Sequence, residues 1–204
     1  MFETLTAAAA GYLIGSVPLG LIVSKAVAGV DIRRHGTGNM GAANVRENAG
    51  VFAGLLVALG VFLQGLAPAL VLRLAGGAET AVAGVAVGAV VGYGWPVFLG
   101  FKGGRAVGTG TGAATALYPL GFFSLVLTYA LGALVRRTSL GLLLGFVVYS
   151  GFVFYAADST AYRVASILIL LVIAARRLEG VVEETKKGPP VKTFLNLLLF
   201  QKRP

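Results

Sequence analysis

Long apolar runs alternate with short polar islands along most of this chain. The first run, from about Leu5 to Val30, is broken only at Ser16-Val17-Pro18. It predicts a membrane-crossing helix with a kink, because proline removes a backbone N–H and frees a carbonyl inside the bundle. Its acidic start and its length separate it from a cleaved signal, despite Ala26-Val27-Ala28. Runs from about Gly50 to Leu72 and from about Thr80 to Leu99 are each long enough to cross roughly 30 Å of hydrocarbon at about 1.5 Å per residue. Within the third run, Gly84, Gly88 and Gly92 share one helical face and predict close approach of a neighbouring backbone. Between Val107 and Val135 the Tyr118-Pro119 pair predicts a short helix, a turn and a returning helix rather than one span. Two more runs, about Leu140 to Ala156 and about Tyr162 to Ala175, flank Asp158-Ser159-Thr160. The pattern predicts an all-α integral membrane protein with about seven membrane-embedded helices.

Composition sharpens this. Hydrophobic residues fill 57% of the 204 positions and charged residues 12%, with a mean hydropathy of +0.86; an ordinary soluble domain has about twice that charge. With no cysteine, one histidine and eight carboxylates, the chain excludes disulfides, thiolate metal centres and a histidine-rich metal site, and no cofactor is expected. The net charge of +9 lies beside apolar spans, so anionic lipid headgroups and phosphorylated substrates are the expected partners, not nucleic acid.

Charge also orients the chain. Arg33, Arg34, Arg46, Lys102, Arg105, Arg136, Arg137, Arg176, Arg177, Lys186 and Lys187 fall on one side of the predicted spans, and Arg73 and Arg163 on the other. The positive-inside bias then places the N-terminus outside and the C-terminus in the cytoplasm. Residues 1–204 read as a single transmembrane domain whose cytoplasmic tail begins at Leu178. Within that tail, residues 191–200 are mildly amphipathic and fit the inner leaflet as well as a disordered extension.

Two polar islands carry the candidate chemistry. In the first, Asp31 to Arg46, glycines at 36, 38 and 41 allow a turning backbone whose N–H groups converge, and Arg33, Arg34 and Arg46 surround them. A helix starting near Ala42 adds its N-terminal N–H groups, and Asn39 and Asn44 add uncharged donors. Phosphate is the natural guest, and a basic topological loop is the plain alternative. The second island, Lys102-Gly103-Gly104-Arg105, sets two cations around a diglycine, so the chain holds two candidate anion sites. His35 reads as a solvated loop residue, and Glu47 as an ion-pair partner for Arg46 or Arg33.

The segments Gly15-Ser16-Val17-Pro18, Arg34 through Arg46, and Gly92-Tyr93-Gly94-Trp95-Pro96-Val97-Phe98 with Phe101-Lys102-Gly103-Gly104-Arg105 resemble motifs of the PlsY family of bacterial membrane acyltransferases. Thr138-Ser139-Leu140-Gly141 is similar to a shorter stretch of the same family. The resemblance implies a seven-helix protein of the bacterial cell membrane that transfers an acyl group from acyl phosphate to glycerol 3-phosphate. It implies catalytic roles for Ser16 and Arg46, and substrate contacts from Gly36, Thr37, Gly38, Asn39, Gly41, Asn44, Lys102, Gly103, Gly104, Arg105 and Ser139. The family usually has histidine where Tyr93 stands, and an aspartate and a lysine where Gly60 and Gln64 stand; its third motif has no clear counterpart in Ala175 to Lys187. A catalytically silent paralogue that binds lipid or acyl phosphate, and a small anion or lipid transporter, are therefore alternatives at this point.

Overall fold

The computed structural model describes residues 1–185, and among them the backbone forms nine α-helices and no strand. The amphipathic segment expected at residues 191–200 lies outside them. Pro18 divides the first run into α1 (Phe2–Ser16) and α2 (Leu19–Ala28). Proline has no N–H to give the carbonyl of Ile14, four residues back. Gln64, on α4 (Val51–Leu74), supplies the donor instead: its Nε2 lies 2.9 Å from the Ile14 oxygen and 2.8 Å from that of Val17. The Val17 N–H, at 3.2 Å from the Ile14 oxygen, and the Leu19 N–H, at 2.9 Å from the Val17 oxygen, also reach these carbonyls, so Gln64 gives each a second donor at the break.

Three stretches, Phe2–Ala28, Val51–Leu74 and Glu79–Leu99, are long and apolar enough to cross a membrane. Helix α5 (Glu79–Gly94) runs parallel to α1 in backbone contact. A Cβ at Gly88 would strike the Ala8 carbonyl and one at Gly92 the Tyr12 carbonyl, while Gly11 and Gly15 of α1 meet Val85 and Ala89 in the same way. The expected glycine face is thus a packing seam.

The Tyr118-Pro119 break appears as expected: α6 (Val107–Leu117) ends, a 3-10 turn spans Pro119–Gly121, and α7 (Phe122–Leu134) returns. Helix α6 packs along α4, and α7 forms an antiparallel hairpin with α8 (Thr138–Ala156). The last helix, α9 (Thr160–Thr185), continues well past the expected end at Ala175. Arg, Leu and Glu from 176 to 179 are good helix formers, and no proline intervenes.

The two ends of the bundle differ in character. At one, Thr4 donates to Thr80 at 3.1 Å, Ser159 to Glu79 at 2.6 Å, and Arg73 to the Ala116 carbonyl at 2.7 Å. The other gathers the loop after α2, the short α3 (Ala42–Ala49), the segment from Trp95 to Ala106, and Arg176. Packing is inverted relative to a soluble protein: Phe52, Leu55 and Leu59 of α4 point outward, whereas Ala53, Val57 and Val61 face the interior. The larger buried side chains, Phe146, Tyr149 and Ile169, fasten α8 and α9 to α6.

Candidate functional site

The first polar island folds around Asn44. Its side chain is buried; Nδ2 donates to the carbonyls of Asn39 at 2.9 Å and His35 at 3.1 Å, and Oδ1 accepts from the Thr37 N–H at 3.0 Å. Asn48 donates to the same Oδ1 at 3.1 Å. Gly36 and Gly38 carry positive φ values of 56° and 70°, and the loop closes over the Asn44 amide only because Gly36 has no side chain there. Asn44 is therefore the internal brace of the loop.

This bracing occupies N–H groups that the glycine spacing suggested would converge on an anion. Gly38 donates to the His35 carbonyl at 3.0 Å, Asn39 to Thr37 Oγ1 at 3.4 Å and Gly41 to Asn39 Oδ1 at 3.2 Å. The first turn of α3 keeps N–H groups without a side-chain cap, since its N-cap is Gly41. Nearby, Arg33 donates to Asp31 through Nη2 at 2.7 Å and Nε at 3.0 Å, so the ion pair forms with Asp31 rather than with Glu47. The Arg33 guanidinium holds the Asp31 carboxyl well below the usual carboxylate range, and the carboxylate in turn raises Arg33. His35 is exposed, with Nδ1 2.9 Å from the Asp31 carbonyl.

The second island is gripped from α9. Arg176 Nη2 donates to the Gly103 carbonyl at 2.8 Å and Nε to the Gly104 carbonyl at 3.0 Å; the guanidinium lies 5.3 Å from the centre of the Trp95 ring and pairs with Glu179. The diglycine is a steric requirement as well. A Cβ at Gly103 would collide with the carbonyls of Tyr93 and Gly94, and one at Gly104 with the Tyr93 ring. Arg176 is the residue that sequence motifs alone did not single out, because its partners lie on a loop far away in the chain.

The two islands meet at one cavity of about 370 Å³. Asn39, Gly41, Ala42 and Ala43 line it from the first island and Arg105 to Gly108 from the second, with Arg177, Tyr93, Tyr129 and Thr138 around them. Val61, Leu142 and Leu143 supply an apolar flank. A larger groove of about 890 Å³ between α1, α5 and α9 has no charged residue in its lining and so nothing to hold an anion.

The sequence-predicted residues divide accordingly. Arg105, Asn39 and Gly41 line the cavity. Gly36, Thr37, Gly38 and Asn44 build the loop beside it, and Gly103 and Gly104 build the other wall. Arg46 and Lys102 are exposed and outside the lining. Ser16 is fully buried; its Oγ donates to the Tyr12 carbonyl at 2.7 Å, within the α1–α5 seam. Ser139 lies in the first turn of α8, next to the lining residue Thr138.

Known proteins carry the same architecture. Residues 5–183 match the family described as "Glycerol-3-phosphate acyltransferase". A glycerol-3-phosphate acyltransferase of Rubrobacter xylanophilus is 48% identical over 141 residues, 68% of this chain and 69% of the relative. One from Geobacter sulfurreducens is 35% identical over 92% of this chain and 96% of its own. The crystal structure of PlsY, an integral membrane glycerol 3-phosphate acyltransferase, in its glycerol 3-phosphate form superimposes with a TM-score of 0.79 at 30% identity, covering 90% of this chain and 92% of that one. Its lysophosphatidic acid form gives 0.78 at 28% identity, over 94% and 98% of the two chains. With a multi-pass helical fold, two polar islands brought to one cavity, and a family match across nearly its whole described length, this chain belongs to the glycerol-3-phosphate acyltransferase family.

Proposed function

We propose that this protein transfers an acyl group from acyl phosphate to glycerol 3-phosphate in the bacterial inner membrane, giving lysophosphatidic acid and inorganic phosphate. The observation that carries it is the cavity where Arg105 and Arg177 line the same space as the uncapped start of α3, in a chain of this family. PlsY structures with glycerol 3-phosphate and with lysophosphatidic acid support the acceptor and the product. Seven membrane-embedded helices, with the N-terminus outside and the cavity opening to the cytoplasm, agree with the cations gathered at the cavity end of the bundle.

The chemistry follows from two anchored phosphates. Arg105 and Arg177 hold the phosphate of glycerol 3-phosphate, and the first turn of α3, beside Asn39, holds that of the donor. Fixing both brings the acceptor hydroxyl against the acyl carbon, replacing a chance encounter with a near-attack geometry. The hydroxyl oxygen bonds to the acyl carbon, the bond from that carbon to the bridging phosphate oxygen breaks, and the hydroxyl proton leaves on the departing phosphate. The guanidinium groups and the helix N-terminus stabilise charge developing on the carbonyl and phosphate oxygens. No covalent nucleophile is needed, because the donor is already activated.

The remaining residues act at a distance from the reacting atoms. The acyl chain lies along Val61, Leu142 and Leu143. Arg46 and Lys102, exposed on the two polar islands, raise the local concentration of both anions. Gly36, Thr37, Gly38, Gly41 and Asn44 hold the loop in shape, Gly103 and Gly104 admit the Tyr93 ring, and Ser16 secures the α1–α5 seam. Ser139 starts the helix that brings Thr138 to the cavity.

The test is phosphate release by the detergent-purified protein from palmitoyl phosphate, with and without glycerol 3-phosphate. Release that depends on the acceptor, with lysophosphatidic acid as product, is expected. Arg105→Ala and Arg177→Ala should each raise KM for glycerol 3-phosphate roughly ten- to a hundredfold, the value of a hydrogen bond to a charged group. Release that ignores the acceptor, or an unchanged KM, counts against the assignment.

A further inference from the structure

Tyr93 stands one residue before the end of α5, and its hydroxyl is placed differently from those of Tyr149 and Tyr12. Tyr149 donates to the Ala114 carbonyl at 2.7 Å and the part-buried Tyr12 to that of Trp95 at 2.9 Å, as expected of hydroxyls withdrawn from water. Tyr93 is only 6% exposed, and among the described residues no hydrogen bond engages its hydroxyl; the same holds for Tyr162, which lies against Arg73 and outside the cavity lining, whereas Tyr93 lines the cavity with Arg105 and Arg177.

The ring is fixed from behind. Its backbone carbonyl accepts from the Gly104 N–H at 3.2 Å, and a Cβ at Gly104 would come within 3.1 Å of the Tyr93 hydroxyl oxygen. The second island thus folds tightly over the ring, with Arg176 holding the two glycine carbonyls from the other side. A phenol held against Gly104, with an uncommitted O–H in a lining shared with two arginines, is a neutral donor available to an anion in that cavity.

We propose that Tyr93 is a substrate-contacting residue whose hydroxyl donates a hydrogen bond to the phosphate held by Arg105 and Arg177. The proposal rests on the function above, which makes that phosphate the one on glycerol 3-phosphate. Tyr93 adds direction to a pocket whose cations supply charge, and it selects an acceptor that places a phosphate oxygen at the phenol.

Tyr93→Phe removes the donor and keeps the ring that packs on Gly104. KM for glycerol 3-phosphate should rise about tenfold, with KM for palmitoyl phosphate and the melting temperature in detergent essentially unchanged. Isothermal titration with glycerol 3-phosphate alone should show a similar weakening, which reads the contact without turnover. Equal affinity and equal KM for glycerol 3-phosphate in the variant overturn the proposal, as does a loss shared equally by both substrates, which marks a purely structural role. Absence of turnover by the unaltered protein defeats the acyltransferase assignment instead, and the titration still decides whether Tyr93 holds the phosphate.

Discussion

Arg176 and Gly103 are joined across 73 residues of sequence by a hydrogen bond of 2.8 Å from guanidinium to carbonyl. With the second bond to Gly104, the planar fork fixes both carbonyls of the wall that carries Arg105. Arg176→Ala is therefore expected to lower kcat/KM for glycerol 3-phosphate by one to two orders of magnitude through loss of the wall's shape, since each bond to a charged donor is worth about 1.5–3 kcal/mol. Arg176→Lys should recover only part of this, because an ammonium lacks the fork. Steady-state kinetics on the two variants would decide; wild-type kcat/KM in Arg176→Ala would show that the wall holds itself.

Why this clamp escaped the sequence while the helices did not is a matter of range. Apolar runs, the Tyr118-Pro119 break and the Gly84, Gly88 and Gly92 repeat are local patterns, and each produced the helix, turn or seam that local physics requires. The islands were legible as polar chemistry for the same reason. What glycine spacing cannot show is where a loop spends its N–H groups. Asn44 turned inward and consumed donors that were expected to face a ligand. Arg176 and Arg177 follow an apolar run and resemble a topological flank; their reach to Gly103, Gly104 and the cavity depends on α9 continuing past Ala175 and lying against the end of α5. Ser16 carried a motif resemblance, yet its hydroxyl serves an i−4 carbonyl, which is a common fate of serine inside a helix.

The bracing role of Asn44 can be separated from ligand contact. Asn44→Asp keeps the shape but replaces two donors with an acceptor facing the carbonyls of His35 and Asn39. That leaves the Asn39 carbonyl unmet, leaves the His35 carbonyl only the Gly38 N–H, and opposes both with charge, so the variant should be destabilised by about 2 kcal/mol or more and be worse than Asn44→Ala. Hydrogen exchange at residues 35–41 should rise in both variants. Protection equal to the parent protein would mean that the glycines and the α3 start hold the loop unaided.

Glycine substitutions distinguish seam from surface. Gly88→Ala pushes a methyl group into the Ala8 carbonyl, forcing α1 and α5 apart at a cost of about 1–3 kcal/mol. Gly151→Ala, on α8, meets nothing within 4 Å and should be neutral or stabilising by up to about 1 kcal/mol through helix propensity. Thermal melts of the two variants in the same detergent give the comparison. Equal melting temperatures would show that the seam yields.

The Gln64 side chain and Pro18 should behave as one unit. Gln64 donates to the Ile14 carbonyl because Pro18 cannot. In the parent protein Gln64→Leu is expected to cost about 0.6–2 kcal/mol, the range of polar contacts between membrane helices. Pro18→Ala restores an N–H in register with Ile14, adding a backbone donor where Gln64 now supplies one, and the same Gln64→Leu substitution should then cost less. The second bond, to the Val17 carbonyl at 2.8 Å, limits how complete that rescue is. A double-mutant cycle on unfolding free energies measures the coupling directly. Additive effects would mean that Gln64 stabilises the bundle independently of the proline break. A clear positive coupling would identify the glutamine as the partner that lets α2 leave the axis of α1, bringing Gly20 against Met40 at the base of the first island.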